Sequence, residues 1–123
     1  MAKHNELGKW GENIACDYLT SRGYVIRERN WRQGHMEIDI VAETSGTIAI
    51  VEVKTRNNMD EDPLEAVDAR KRSLMVRSAN AYMTYNNLPH RVQFDLIAIN
   101  GTPDDYELEH IPDAFDPPLK RNH

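Results

Sequence analysis

Met36-Glu37-Ile38-Asp39-Ile40-Val41-Ala42 runs through Glu43-Thr44-Ser45-Gly46 into Thr47-Ile48-Ala49-Ile50-Val51-Glu52-Val53-Lys54, and the fold is decided here. Both flanking runs are rich in β-branched residues and the join is a Ser-Gly turn, which predicts an antiparallel hairpin. With the turn centred on Ser45-Gly46, one face pairs Ile38 with Val53, Ile40 with Val51 and Ala42 with Ala49, all apolar. The other face pairs Val41 with Ile50, Asp39 with Glu52 and Glu37 with Lys54.

That second face places two acids opposite each other, which destabilises a sheet. Slipping the register by one residue would break the apolar face, so the hydrophobic pattern holds the acids in apposition. Two carboxylates share a site when one is protonated, when a cation neutralises them, or when water reaches both. A divalent metal on oxygen ligands is the functional reading, with Lys54 on the same side. A solvated ion cluster of Glu37, Asp39, Glu52 and Lys54 is the structural one. At this point both stand.

Outside the hairpin, 123 residues predict a single domain with a real core, and the apolar and charged fractions are ordinary for a globular protein. No apolar run is long enough to span a bilayer, and Met-Ala-Lys-His-Asn does not read as a signal peptide. The lone Cys16 cannot form an internal disulfide, which fits a cytoplasmic setting. Net charge is −5, but residues 100–123 carry two basic and six acidic side chains and supply most of it. Arg22, Arg27, Arg29, Arg32, Lys54, Arg56, Arg70, Lys71, Arg72 and Arg77 therefore remain available for a local phosphate-binding surface.

Along the chain, Leu7, Trp10, Gly11, Ile14, Ala15 and Tyr18 follow helical spacing, with Asn5 as cap and Gly23 as stop. Glu12 falls on the flank of that stripe. Tyr24–Arg29 predicts a strand, joined by a basic connection over residues 30–35 to the hairpin. Trp31, set among arginines, reads more readily as packing than as a base-stacking platform. After a polar loop over residues 55–59, Asp62-Pro63-Leu64-Glu65 predicts a helix start. Leu64, Val67, Leu74, Met75, Ser78, Tyr82 and Tyr85 form its inner stripe, with Lys71 among them. A lysine there either snorkels to water or brings its amine to the mouth of the site. Residues 92–98 predict another strand, Asn100-Gly101 a turn, and Tyr106–Ile111 a final edge strand. Residues 1–111 are thus expected to form the domain, and the Asp/Pro-rich segment 112–123 a loosely held tail.

The order helix, three strands, helix, strand, with an Asp on the second strand and Glu52-Val53-Lys54 on the third, resembles the restriction-endonuclease-like core. Over almost the whole chain the sequence more closely resembles the YraN family of small bacterial proteins, predicted to be endonuclease-like. The resemblance rests on Gly11-Glu12, Ala15, Tyr18-Leu19, Gly23-Tyr24, Asn30-Trp31-Arg32, Glu37-Ile38-Asp39-Ile40 and Val51-Glu52-Val53-Lys54-Thr55-Arg56. It continues through Glu65-Ala66-Val67, Lys71, Ala81-Tyr82, Arg91, Phe94-Asp95, His110-Ile111 and Ala114-Phe115. An acid on the first helix ahead of these motifs is similar to archaeal-type Holliday junction resolvases. Two positions depart from the pattern: Ile38 stands where many nucleases of this superfamily have proline, and Met36 where YraN relatives commonly have glycine.

The resemblance implies an α/β fold with an αβββαβ core, a mixed sheet flanked by helices and an extra edge strand. It also implies metal-dependent phosphodiester hydrolysis. Asp39 and Glu52, with the Val53 carbonyl and Glu12 directly or through water, would hold Mg²⁺ or Mn²⁺. Lys54 would orient water or stabilise developing charge. Lys71, Arg32 and Arg56 would meet nucleic-acid phosphates, DNA before RNA. A homodimer would suit a two-stranded substrate. The competing expectation, from another class, is a noncatalytic nucleic-acid-binding or assembly module on the same fold.

Overall fold

The computed structural model describes residues 2–56 and 62–117. Its elements run α1 (Ala2–Ser21), β1 (Val25–Gln33), β2 (Met36–Thr44), β3 (Thr47–Arg56), a single 3-10 turn (Pro63–Ala66), α2 (Ala69–Tyr85), β4 (Arg91–Thr102) and β5 (Asp105–Ile111). The five strands lie in one sheet in the order β1-β2-β3-β4-β5. Only β3 and β4 are parallel, because α2 carries the chain across between them. This is the expected restriction-endonuclease-like αβββαβ core, with β5 as the added edge strand.

Strand alternation gives the sheet two apolar faces. Ile40, Ala42, Ala49, Val51, Ile97 and Ile99 pack with Ala15, Cys16 and Leu19 of α1. Val41, Ile48, Ile50, Phe94 and Leu96 pack with Met75, Ala79, Tyr82 and Met83 of α2. The central strands are buried on both sides, which is why β3 reads as a near-continuous apolar run. The hairpin turn has Ser45 at φ 45° and Gly46 at φ 78°, as a two-residue turn matched to strand twist requires. The register expected from the sequence holds from Thr44↔Thr47 through Ile40↔Val51.

Several boundaries differ from the sequence reading. α1 begins at Ala2, so Asn5 lies inside the helix, and Leu7 is 43% exposed instead of joining the stripe. β1 runs on through Gln33, so most of the expected connection is strand and only Gly34-His35 turns. Trp31 packs edge-on against Tyr82, ring centres 5.4 Å apart, as expected of a packing residue. Asp62 caps the 3-10 turn by accepting from the Leu64 N–H, but the chain then leaves helical geometry at Val67 (φ −119°, ψ 78°). α2 starts afresh under a second cap, Asp68, whose carboxylate accepts from the Lys71 N–H. Tyr85, expected in the inner stripe, is 73% exposed. The polar loop expected over residues 55–59 lies partly outside the described residues.

The tail expectation also needs correction. Phe115 is 9% exposed and stacks on Phe94 at 5.0 Å. The Ala114 N–H donates to the Phe94 carbonyl, and the Asp113 N–H to Asp95 Oδ1. One aromatic side chain and two backbone donors hold this segment, and its Asp/Pro composition concealed that. Residues 118–123 lie outside the described part.

Candidate active site

Asp39 projects from β2 toward β3, and its Oδ2 accepts the Val53 backbone N–H at 2.9 Å. Glu52, one residue earlier on β3, accepts an ion pair from Lys71 Nζ at 3.2 Å. Two acids from adjacent strands therefore meet under the first turn of α2. Burial, followed by the negative charge of Glu52, pushes the Asp39 carboxyl up to about 7, and the Val53 N–H only partly opposes this. The Glu52 carboxyl is also raised, chiefly by burial, with Lys71 pulling the other way.

The local backbone explains why Asp39 is available. Ile40 packs toward α1, yet Ile38, two residues earlier, packs with the cluster under α2. Regular alternation would have put both on one face, as the sequence reading expected. The neighbouring strand does the same: Arg29 bonds to Asn13 of α1, whereas Trp31 meets Tyr82 of α2. The switch falls between the pairs Arg29↔Ile40 and Trp31↔Ile38, where Asn30 and Asp39 sit opposite. Asn30 takes φ 55°, an uncommon conformation that asparagine tolerates better than most residues. At the switch, Asp39 turns out of both cores toward the Val53 amide.

The α1 acid is placed by the same device. Asn30 Nδ2 donates to Glu12 Oε1 at 2.8 Å, with Arg29 Nη2 3.7 Å from the same oxygen. Gly11 lets α1 approach closely, since a Cβ there would run into the Thr55 side chain of β3. Glu12 adds to the negative field that raises Asp39. Among the described residues, however, no three Asp, Glu, His or Cys side chains converge closely enough to bind one ion directly. Asn30 belongs to the Asn30-Trp31-Arg32 stretch of the resemblance, but that context carries no signal for a left-handed residue in mid-strand.

The other expected residues are distributed unevenly. Lys54 is exposed on β3 and contributes positive charge at Glu52. Glu37, its expected cross-strand partner, pairs with Arg32 Nη2 at 3.3 Å. Arg56 donates from Nε to the buried Asn100, so part of its hydrogen-bonding capacity serves the sheet. Lys71, placed in the inner stripe by spacing, instead turns its amine onto Glu52.

A family model described as "Uncharacterised protein family UPF0102" matches residues 11–99, from Gly11 through most of β4. The chain is 51% identical over 120 residues to a UPF0102 protein of Bacteroides thetaiotaomicron, covering 97% of this chain and 99% of that one. A UPF0102 protein of Flavobacterium psychrophilum is 40% identical over 116 residues, covering 94% and 98%. The chain belongs to the UPF0102 family. That is the YraN family the sequence resembles. The UPF0102 match spans Glu12, Asn30, Asp39, Glu52, Lys54 and Lys71, while β5 and Phe115 fall beyond it.

The donor set has the chemistry of a hard-cation site: two carboxylate oxygens on rigid strands, with Glu12 set back behind Asn30. Mg²⁺ needs only one or two protein carboxylates when water and substrate oxygens complete its shell. Burial raises both carboxyls, with the charge of Glu52 adding to the effect at Asp39 and that of Glu37 at Glu52, and a divalent cation would favour both ionised forms. Asp39 and Glu52 thus have the ligand chemistry for Mg²⁺ or Mn²⁺, whereas Glu12 is bonded to Asn30.

Proposed function

We propose that this UPF0102 protein is a metal-dependent nuclease that hydrolyses phosphodiester bonds in DNA, including branched repair or recombination intermediates. The observation that carries this reading is the half-buried apposition of Asp39 and Glu52, fixed by the Val53 amide and the Lys71 amine. A bound Mg²⁺ or Mn²⁺ would supply Lewis-acid polarisation of a phosphate oxygen and a more acidic water. Asp39 and Glu52 would hold the ion, with the Val53 carbonyl as a further oxygen donor. Lys54 would orient the attacking water or stabilise charge on the pentacoordinate phosphorus. Lys71 would leave Glu52 for a substrate phosphate once that carboxylate is neutralised. Glu12, held by Asn30, would position water on the α1 side.

The deciding experiment is a cleavage screen with Mg²⁺ and with Mn²⁺ on single-stranded, duplex, flap and four-way DNA, and on RNA. Cleavage of DNA by the wild type, absent in Asp39→Asn and Glu52→Gln, is the expected result. No cleavage of any substrate by well-folded wild type would reject it. The alternative, a noncatalytic nucleic-acid-binding module, draws on the Lys71–Glu52 ion pair, since a lysine already neutralises one of the acids. Salt-sensitive binding without cleavage would select it.

A further inference from the structure

The long exposed side of α2 has features that its packing does not explain. Asp68, Arg70, Lys71, Leu74 and Arg77 line a groove of about 390 Å³. A second hollow, about 450 Å³, lies farther along the helix between Gln33 of β1 and Asn80, Ala81, Thr84 and Tyr85. Arg70, Leu74, Arg77, Ala81 and Thr84 follow alternating four- and three-residue steps, so they form one stripe along the helix. The two hollows therefore belong to one continuous side of α2.

Two of the cations on that side, Arg70 and Arg77, are not used by the fold. Arg72, next in sequence, donates to the Val67 carbonyl and lies over the Phe115 ring. Arg27, Arg29 and Arg32 are each ion-paired to a glutamate. Arg70 and Arg77 are exposed, and among the described residues neither meets a carboxylate. Asp68 is the acid in the groove, and its carboxylate is turned to the Lys71 amide as a cap. Cations in the first turn oppose the helix dipole, so Arg70 and Lys71 are poor choices for helix stability alone. At the far end Tyr85 exposes 73% of its surface.

We propose that this side of α2 is the track for a single strand of nucleic acid leading away from the Asp39–Glu52 pair. It rests on the nuclease reading for its polarity, since Lys71 joins the track to Glu52. Arg70, Lys71 and Arg77 take successive phosphates, and Tyr85 stacks a base. Arg70 and Arg77 are about 10 Å apart along the axis, at 1.5 Å per residue. Arg70 to Tyr85 spans about 22 Å on the same rise. A cationic groove with an aromatic platform is what sequence-tolerant single-strand binding uses. The groove's charge disfavours an apolar protein segment, and the exposed Tyr85 at its far end suits a stacked base better than an acidic peptide.

The test is equilibrium binding, separate from cleavage. Fluorescence anisotropy of a labelled oligothymidylate, in chelator and over a range of salt, would compare wild type with Arg70→Gln/Arg77→Gln and with Tyr85→Ala. All three substitutions are on an exposed helix side, and matched thermal melts confirm folding. The double variant is expected to bind at least about tenfold more weakly and to flatten the salt slope by about 1.4, two phosphate contacts at ~0.7 each. Tyr85→Ala is expected to lose about 5- to 150-fold, the range for one stacked base, with little change in salt slope. Unchanged affinity in these variants, with a wild type that binds and cleaves, would overturn the track and leave the nuclease reading standing. Loss in the variants, with no cleavage by wild type, would support the track and reject the nuclease. A wild type that binds no oligonucleotide would overturn the track and point to a protein occupant.

Discussion

The backbone N–H of Val53 is bonded to the side chain of Asp39, 2.9 Å away on the neighbouring strand. The β2–β3 ladder runs to Ile40↔Val51, and just beyond it a carboxylate accepts the next inward amide. One such bond favours the ionised acid, yet burial and the charge of Glu52 outweigh it. The strands thus hold a carboxylate in a place that disfavours its charge. Geometry fixed at such a cost is commonly found where chemistry needs it.

This arrangement gives metal-free protein a definite pH dependence. The Asp39 carboxyl is raised from 3.8 to about 7 in the folded state, so the folded chain holds the proton that the unfolded chain releases. Stability from this group is therefore greatest below about pH 4 and is lost as pH rises to about 7. Each unit of separation is worth ~1.4 kcal/mol, before other groups contribute. Asp39→Asn should flatten the urea-derived stability profile across this window in chelator. A profile as steep as wild type in that variant would assign the dependence elsewhere.

Metal addition should act in the opposite sense, because a divalent cation favours both ionised carboxylates. Titration calorimetry with Mn²⁺ at neutral pH is expected to show binding in the wild type and none in Asp39→Asn or Glu52→Gln. In chelator Asp39→Asn should be as stable as wild type or more so, since it removes a repulsive charge and keeps an acceptor for the Val53 N–H. Unaltered titrations in both variants would remove these acids from any metal site.

The two lysines near Glu52 should separate by assay. Lys54 is exposed, so Lys54→Met should change stability by less than about 0.5 kcal/mol. Its expected effect is on cleavage, lower by about 10²–10³, as for loss of one transition-state donor. Lys71 is ion-paired to Glu52 in the metal-free state. Lys71→Met should therefore destabilise metal-free protein while tightening Mn²⁺ binding, because a competing cation has gone. Identical effects of the two substitutions on metal-free stability would contradict these separate positions.

The architecture was legible because Ile40, Val41, Ala42 and Ala49, Ile50, Val51 fix a register that no one-residue slip preserves. Asp39 and Glu52 followed from that register as an anomaly. The exit of Ile38 to the other face was not legible, since it follows from a left-handed Asn30 on the next strand. Helix starts were harder still. Asp62-Pro63-Leu64-Glu65 and Asp68 both carry capping signals, and only tertiary packing of Val67, 1% exposed, chooses between them. Phe94-Asp95, His110 and Phe115 were visible as family positions, but their meeting depends on β5 returning alongside β4.

That meeting supports a prediction independent of the proposed chemistry. Asp95 has no exposed side-chain surface, and it accepts from Gln93 Nε2, His110 Nε2 and the Asp113 N–H. His110 is fixed from the other side by Tyr18, whose hydroxyl lies 3.1 Å from Nδ1, so the network joins α1, β4, β5 and the segment leading to Phe115. Removing the buried acid leaves three part-buried donors without their acceptor at once, and loss of one partner from a buried pair costs about 3–5 kcal/mol. Asp95→Ala should lower urea-derived stability by roughly that amount. Asp95→Asn keeps an acceptor and the side-chain shape, so it should lose less. Both should leave Mn²⁺ titration at Asp39 and Glu52 unchanged under conditions where they remain folded, because Asp95 belongs to the α1 face of the sheet, away from α2. A loss below about 0.5 kcal/mol in Asp95→Ala, the range for ordinary surface substitutions, would show that the network adds nothing to the fold.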